Sequence, residues 1–422
     1  MKIRSLADTG SAATDRGISR RALLIGMGGA ASLVASPSLA QQFALDQTEW
    51  RDGFDASTPF QTQVTNNRPS LNSETPAYVE QALQNYWAIV NSGGWPTVPV
   101  SQTLKIGASD PAVAILRRRL EVSGDMTPMG GNPNSFDSFV DQGVKRFQAR
   151  HGVRADGVVS PNGETIAMMN VPAELRLRQL ETNLIRVRAM SGFLGDRYVV
   201  TNVPAAEIET VDGGIIHSRH AAVVGKIDRQ TPLLTTKITT IRFNPYWTAP
   251  VSIIKKDIIP MVRKDPGYLA RYQIRIFQGQ TEIDPTTIDW STEEAAKYMF
   301  RQEPNELNSM GAVKIDFPSP EGVYMHDTPS KTLFGANYRF ESSGCVRVQN
   351  VREYVSWILR NTPEWGRNRI EEALRSGERL DASVADTVNL YFTYVTAWAN
   401  SDGVVQFRDD IYQRDGIDVA LR

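Results

Sequence analysis

The sequence has 422 residues, a length that exceeds one ordinary hydrophobic core and predicts two or three domains. Its 46 basic and 47 acidic residues nearly balance, and 41% of its residues are hydrophobic. These values are typical of a globular protein. They give no sign of a nucleic-acid-binding protein, whose affinity would come from neutralising phosphates with an excess of Lys and Arg.

The first forty residues are typical of an export signal. Arg20 and Arg21 stand in a basic start, 22–35 is an apolar stretch, and 38–40 offers small residues for cleavage. The apolar stretch is shorter than the roughly 18 residues of a spanning helix, so we expect no transmembrane anchor after cleavage. The run SRRALL at 19–24 resembles the twin-arginine export signal, which predicts a signal peptide over 1–40 and a periplasmic protein. A general secretory signal with two adjacent arginines is the alternative.

A polar lead-in and a scaffold helix are predicted over 41–100. Thr75 and Pro76 are typical of a helix start, and apolar residues from Tyr78 to Ile89 recur at helical spacing. Glycines at 93–94 end the pattern.

A small helical domain is predicted over 101–172, because two apolar stripes at helical spacing are separated by glycine turns. Its runs LKIGASDPAVAILRRRLEVSG and FDSFVDQGVKRFQARHGVRADGVVSPNGETIAMMN resemble the two halves of the peptidoglycan-binding module of many wall enzymes. The resemblance implies peptidoglycan as a partner. A plain three-helix scaffold without ligand affinity is the alternative.

The pattern changes after a predicted linker helix over 173–195. From Tyr198 the apolar period is two, which predicts strands, and the Asp212-Gly213-Gly214 run predicts a hairpin. We expect a mainly-β domain over 196–360, with 361–422 adding strands that complete its scaffold. Residues 255–312 interrupt this domain with a more helical, Pro-containing stretch that could form a lid.

The sequence has a single cysteine, Cys345, which therefore cannot form an internal disulfide and is either an inert core residue or a working thiol. It follows a Ser-Ser-Gly turn. Gly344 removes side-chain bulk there and allows nearby main-chain N–H groups to form an oxyanion hole.

A thiol needs a neighbouring base to become a ready nucleophile at neutral pH. The sequence offers four histidines, His151, His217, His220 and His326. His326 is the best partner, because it is near in sequence and lies at the end of a predicted strand. A core cysteine with a surface histidine is the alternative.

The runs HDTPSKTLF and RFESSGCVRV resemble the L,D-transpeptidase catalytic motif, in which a histidine precedes a Ser-x-Gly-Cys-x-Arg segment. Segments within 244–318 and 396–412 resemble the large Gram-negative branch of that family. The resemblance implies Cys345 as nucleophile, His326 as base oriented by a main-chain carbonyl, and no cofactor or metal. Asp327 is then a turn or cap residue. Carbapenem-type inhibitors are expected to acylate the thiol.

One departure from the family pattern is Ser343, because most members have a histidine directly before the Gly-Cys pair. Weaker predictions concern substrate binding. Tyr324 shares a strand face with His326, and Arg347 shares the face of the thiol. Trp247 and Asn244 are candidates by the family resemblance. Ser343 is also predicted to bind substrate. For all of these residues, a structural role in packing, in a turn or in a salt bridge is the alternative.

The predicted fold class is α+β multidomain: a mainly-β L,D-transpeptidase domain with a helical lid insertion, and a small helical peptidoglycan-binding-like domain. The expected reaction is attack of Cys345 on a stem tetrapeptide, release of D-alanine, and transfer of the acyl group to an amine in a 3→3 cross-link. An L,D-carboxypeptidase that uses water, and a non-catalytic wall-binding protein, are the alternatives.

Overall fold

The computed structural model describes residues 67–192 and 194–416. The predicted signal peptide and most of the predicted lead-in lie outside these residues. Within the described ranges, no helix is both long and apolar enough to cross a lipid bilayer. The principal helices are α1 (Thr75–Asn91), α2 (Pro111–Val122), α3 (Ser138–Arg150), α4 (Glu164–Met169), α5 (Ala173–Met190), α6 (Tyr268–Arg271), α7 (Val351–Leu359) and α8 (Arg367–Ser376).

Strands dominate the second half of the chain. They are β1 (Arg197–Asn202), β2 (Glu207–Asp212), β3 (Ile215–Gly225), β4 (Leu234–Phe243), β5 (Trp247–Thr248), β6 (Ile274–Gln278), β7 (Thr281–Glu282), β8 (Met299–Gln302), β9 (Val313–Asp316), β10 (Met325–His326), β11 (Phe340–Ser342), β12 (Val346–Val348), β13 (Leu380–Thr393), β14 (Ala397–Ala399) and β15 (Val405–Phe407).

Helices α2, α3 and α4 form the helical domain around one apolar core. Side chains cap the first two helices: Asp110 accepts from the Ala112 N–H, and Asp137 accepts from the N–H groups that follow it. The two stripes predicted from the sequence meet in the core, with Val113 and Val144 fully buried. Helical spacing was therefore a sufficient guide to this domain.

The largest sheet closes on itself. In the described residues its strand order is β11-β3-β12-β10-β9-β4-β13-β1-β2, and β2 also pairs with β3. The predicted hairpin joins β2 to β3, with Gly213 and Gly214 at positive φ of 57° and 76°. Helix α7 packs Tyr354, Val355 and Ile358 into the core that this sheet encloses. The predicted α+β multidomain fold class is confirmed.

The insertion between β4 and β9 has a core of its own, formed by residues such as Ile258, Ile276 and Phe300. It is less helical than the sequence suggests. A helical stretch over 251–264 packs against a four-stranded sheet of order β5-β8-β6-β7. The strands here are two to five residues long, and such short runs leave almost no periodic signal in the sequence.

The helical domain is joined to the C-terminal strands by buried polar and ring contacts. Arg408 donates to the Arg150 carbonyl at 3.1 Å, and Arg150 is paired with Asp125 at 2.6 Å. The His151 ring stacks between Phe147 and Phe407, at centroid distances of 3.8 and 5.5 Å. Strands β14 and β15 also pack against α1 and α5 in a further apolar cluster. The helical domain thus rests on the last part of the chain.

Candidate active site

Two neighbouring parallel strands set the arrangement of the candidate site. In the register of β10 with β12, Met325 pairs with Val346 and His326 pairs with Arg347. Met325 and Val346 are fully buried in the core. Since side chains alternate along a strand, Tyr324, His326, Cys345 and Arg347 all lie on the opposite face. The structure therefore brings these four predicted residues together.

The turn before the nucleophile is held by its own hydrogen bonds. Ser342 Oγ accepts from the Gly344 N–H at 3.1 Å and donates to the Cys345 carbonyl at 2.5 Å. Gly344 has a φ of +112°, which an L side chain rarely adopts. Its N–H is engaged inside the turn, so the Cys345 N–H is the better candidate for an oxyanion donor. The predicted contribution of the Gly344 N–H to that hole gains no support from this geometry.

The imidazole of His326 is oriented by the main chain. Its Nδ1 lies 2.5 Å from the Asp327 carbonyl oxygen. A carbonyl only accepts, so Nδ1 carries the proton and Nε2 is the nitrogen available as a base. The Asp327 carboxylate instead accepts from the Ala312 N–H at 2.9 Å and from Lys331. Asp327 thus secures the end of the insertion and does not contact the imidazole through its carboxylate.

Both reacting groups are neutral at rest. Burial, followed by the positive charge of Arg347, lowers the pKa of His326 to about 3. Burial raises the pKa of the Cys345 thiol, against the opposing effects of hydrogen bonds from Tyr324 and the charges of Lys314 and Arg347. At neutral pH the site therefore holds a thiol and an unprotonated imidazole, not a preformed ion pair.

The thiol has Tyr324 as its hydrogen-bond partner. The main chain and the hydroxyl of Tyr324 both hydrogen-bond to Cys345. The Tyr324 ring meets the His326 ring edge-on, with centroids 5.6 Å apart. No direct hydrogen bond between the thiol and the imidazole occurs in the described residues. Catalytic hydrogen bonds often tighten only when substrate binds, so adjacent placement on one face is the informative observation.

Positive charge gathers on the same face. Lys314 of β9 pairs in register with His326, and its Nζ lies 4.5 Å from the centre of the Tyr324 ring. Arg347 has a buried Nε without a hydrogen-bond partner among the described residues. Lys314 was not predicted from the sequence, because its position depends on the register of β9 with β10, which no local pattern reveals.

The remaining predicted residues make contacts elsewhere in the structure. Ser343 is exposed and accepts from Arg229 at 2.9 Å. Trp247 is buried in the core of the insertion. Asn244 has a φ of +47°, and its amide donates to the carbonyls of Ala373 and Glu378 at 2.8 and 2.9 Å. Asn244 therefore acts as a structural anchor here, and its predicted contact with substrate gains no support.

Arg229 links the nucleophile turn to the insertion. Besides its bond to Ser343, it forms a bidentate pair with Asp257 of the insertion, at 2.5 and 3.0 Å. In the same loop, Thr231 Oγ1 donates to the Gly344 carbonyl at 2.9 Å. The loop over 226–233 thus fixes the turn from one side. Within the described ranges, no group of three or more His, Cys, Asp or Glu residues is placed to hold a metal ion.

Two family models match parts of the chain. Residues 196–365 match the model described as "L,D-transpeptidase catalytic domain", and residues 109–169 match "Putative peptidoglycan binding domain". A curated Haemophilus influenzae protein described as "Putative L,D-transpeptidase" is 30% identical over 240 residues, which is 56% of this chain and 48% of that protein. The chain thus spans about half the length of this relative.

Solved structures with related descriptions show low similarity. An L,D-transpeptidase from Xylanimonas cellulosilytica is 14% identical and covers 70% of this chain and 99% of its own, with a TM-score of 0.21. One from Stackebrandtia nassauensis is 12% identical and covers 71% and 96%, with a TM-score of 0.24. With TM-scores this low, these structural similarities support no conclusion about this chain. Residues 196–365 are thus similar to an L,D-transpeptidase catalytic domain, and residues 109–169 are similar to a peptidoglycan-binding domain.

Proposed function

We propose that this chain is an L,D-transpeptidase that joins peptidoglycan stem peptides through a Cys345 acyl-thioester. The observation that carries the proposal is the strand register that sets Cys345 beside the face occupied by His326, Tyr324 and Arg347. The family match to residues 196–365 supports the reaction class. A half-buried thiol with an imidazole and two cations on one sheet face suits acyl transfer.

In the first half-reaction, Cys345 Sγ attacks the carbonyl carbon of the third stem residue. His326 Nε2 takes the thiol proton as the new C–S bond forms. The C–N bond to the terminal D-alanine then breaks, and the imidazole returns that proton to the leaving amine. The Cys345 N–H, with Arg347 and Lys314 nearby, would stabilise negative charge on the carbonyl oxygen.

In the second half-reaction, an acceptor amine from another stem peptide attacks the thioester. His326 now takes a proton from the amine, the C–S bond breaks, and the proton passes to the departing sulfur. The product is a 3→3 cross-link, and the thiol is regenerated. With water as the acceptor, the same residues would give L,D-carboxypeptidase activity.

The neutral state of both groups favours general-base catalysis. A His326 pKa of about 3 keeps the imidazole unprotonated in the free protein throughout the neutral range. Because the thiol pKa is raised, the proton would move as the substrate carbonyl is attacked and not beforehand.

The setting of this activity is outside the cytoplasmic membrane, where peptidoglycan lies. Both family matches concern peptidoglycan, which supports an extracytoplasmic protein. We propose export through the twin-arginine route, on the strength of Arg20 and Arg21 and the apolar stretch that follows them.

The test is incubation of residues 41–422 with a disaccharide-tetrapeptide, followed by mass analysis of the products. A cross-linked dimer is expected, with release of D-alanine. Tripeptide alone would assign hydrolysis instead, and neither product would count against an enzyme. Cys345→Ala is the control for the nucleophile, and cross-linking by this variant would refute that assignment. His326→Ala should slow acylation by about 10² to 10⁴-fold, the usual effect of losing a positioned base.

A further inference from the structure

The end of the insertion lies directly against the strand that carries His326. Strand β10 ends at this residue, which pairs with Lys314 of β9. One residue later, the Asp327 N–H donates to the Val313 carbonyl at 2.9 Å. The main-chain pairing thus continues one residue past β10, to the point where the insertion returns to the large sheet.

The Asp327 carboxylate holds the residue that precedes this pairing. Its Oδ2 accepts from the Ala312 N–H at 2.9 Å, and its Oδ1 is paired with Lys331. Hydrogen bonds to an ionised group are stronger than neutral ones, and the Asp327 side chain is only 6% exposed. Asp327 therefore holds the end of the insertion at two points, through its N–H and through its carboxylate.

The turn just before Ala312 is built to let this carboxylate approach. Gly311 has a φ of +61°, and a Cβ there would lie 2.3 Å from Asp327 Oδ2. Since nonbonded heavy atoms prefer separations of about 3.5–4.0 Å, an alanine at this position would displace the carboxylate. Asn308 is fully buried and accepts from the N–H groups of Met310 and Gly311 at 2.9 and 2.8 Å. The turn that the carboxylate holds is thus itself fixed.

The same aspartate orients the imidazole through its main chain. The Asp327 carbonyl accepts from His326 Nδ1–H at 2.5 Å. This carbonyl lies one residue beyond β10, so its direction is set by the backbone dihedral angles of Asp327. The contacts of its N–H and its carboxylate fix those angles. If the carbonyl turned away, the proton could move to Nε2, and that nitrogen could no longer act as a base.

We propose that Asp327 is a positioning residue for the base. Its carboxylate grips the end of the insertion, which keeps its own carbonyl aimed at His326 Nδ1 and so keeps Nε2 free of a proton. The carboxylate touches neither the thiol nor the imidazole, and it acts only through the backbone that it fixes. This inference rests on the proposed function, because it concerns the base of that acyl transfer.

The first test measures carbapenem acylation of residues 41–422 by mass, at several carbapenem concentrations, after circular dichroism shows that each variant is folded. Asp327→Ala should lower the limiting rate about 10- to 100-fold, because the base is misplaced but still present. The half-saturating concentration should stay within about twofold, since the carboxylate is not placed to contact the ligand. Asp327→Asn keeps an oxygen for the Ala312 N–H, so its limiting rate should stay within about threefold of the parent.

Gly311→Ala is a second variant, which leaves the carboxylate in the chain and pushes it off the turn. It should lower the limiting rate about 10-fold or more. Gly279→Ala is the matched control, because Gly279 also lies in the insertion and has a φ of +60° with no atom near its Cβ position. Its acylation should equal that of the parent.

Nitrogen-15 NMR of the imidazole adds a measurement that needs no turnover. In the parent at neutral pH, the His326 signals, identified by their absence in His326→Ala, should show a protonated Nδ1 and an unprotonated Nε2. Asp327→Ala and Gly311→Ala should show a mixture of the two tautomers.

Three results would overturn the proposal. They are a limiting rate for Asp327→Ala within about twofold of the parent, an Asp327→Asn variant as slow as Asp327→Ala, and slower acylation with an unchanged His326 tautomer. The last of these would make the role of Asp327 purely structural. A parent that shows the expected tautomer, and the mixture in Asp327→Ala, but releases no D-alanine from a stem tetrapeptide would count against the proposed function alone.

Discussion

The Cys345 thiol is kept protonated by burial, and the His326 imidazole is kept unprotonated by the same cause. A histidine with its ordinary pKa of about 6.5 would lose its function as a base below that pH. Here the lowered pKa means that the imidazole stays neutral down to about pH 4. The raised thiol pKa means that the thiol stays protonated at neutral pH.

We therefore predict that the rate of carbapenem acylation is nearly constant between about pH 5 and 8. The rate constant is measured by mass spectrometry of the intact chain at each pH. Cys345→Ala, which should form no adduct, controls for modification elsewhere. A decline on the acid side with a midpoint between about pH 6 and 7 would show that the imidazole is not depressed in the working enzyme.

Tyr324 hydrogen-bonds to the thiol and lowers its pKa against the effect of burial. Tyr324→Phe removes the hydroxyl and keeps the ring against His326, so the thiol pKa should rise further and alkylation by iodoacetamide should slow about 10-fold at pH 8. Tyr246→Phe is the matched control, since that ring packs on Arg301 in the described structure. An alkylation rate within about twofold of the parent would remove Tyr324 from this role.

Alternation along two strands was enough to predict that Tyr324 shares a face with His326, and that Arg347 shares one with Cys345. These two faces lie side by side because β10 pairs with β12. That pairing depends on residues distant in sequence and was not predictable. For the same reason Lys314 was missed. The prediction for Asn244 came from the family resemblance of the run NPYW, which does not show that its amide donates to the Ala373 carbonyl.

The insertion is tied to the nucleophile turn by Arg229, which contacts both Ser343 and Asp257. A lid that stays closed excludes water from a reactive thioester. Arg229→Gln should therefore leave acylation by a small carbapenem within about threefold, but shift the products from cross-linked dimer towards tripeptide. The ratio of the two products is read by mass, after circular dichroism shows that the variant is folded.

Arg271→Gln is the control for this tie, because Arg271 forms an exposed pair with Asp265 inside the insertion. It should leave the product ratio unchanged. If folded Arg229→Gln gave an unchanged ratio of cross-linked dimer to tripeptide, the insertion would serve as a scaffold in this reaction and not as a lid.

The insertion also shows which elements are hard to predict from a sequence. A lid was predicted over 255–312 because it interrupts two strand patterns, and the described insertion runs between β4 and β9. Its helical stretch was visible, but its sheet was not. β5 and β7 have two residues each, too few to display a period, and they are held by pairing and by the core around Phe300.

At the scale of the whole molecule, the helical domain is fixed to the C-terminal strands through Arg408. A Cβ at Gly152 would lie 2.7 Å from Arg408 Nε, and Gly152 has a φ of +70°. Gly152→Ala should therefore lower the free energy of unfolding by about 2–3 kcal/mol, combining the cost of a positive φ with that of overpacking.

Gly107→Ala is a matched control, since Gly107 has a φ of +89° with no atom near its Cβ position. It should cost only about 1 kcal/mol. Urea unfolding of both variants gives the difference. If both variants lost the same free energy of unfolding, the contact between residue 152 and Arg408 would not contribute to holding the helical domain against the C-terminal strands.

The joint between Arg150 and Arg408 links residues 258 positions apart, and Asn202 bonds to the Val395 carbonyl across 193 positions. On the ribosome, the surface on which the helical domain rests is made well after the domain itself. The domain can form its own core early, but it must wait for β15 before it can dock. Such distant contacts slow folding and expose apolar surface during synthesis. A chain cut short before β15 would therefore lack Val405 and Phe407, and the apolar cluster that they form with α1 and α5 would be partly exposed.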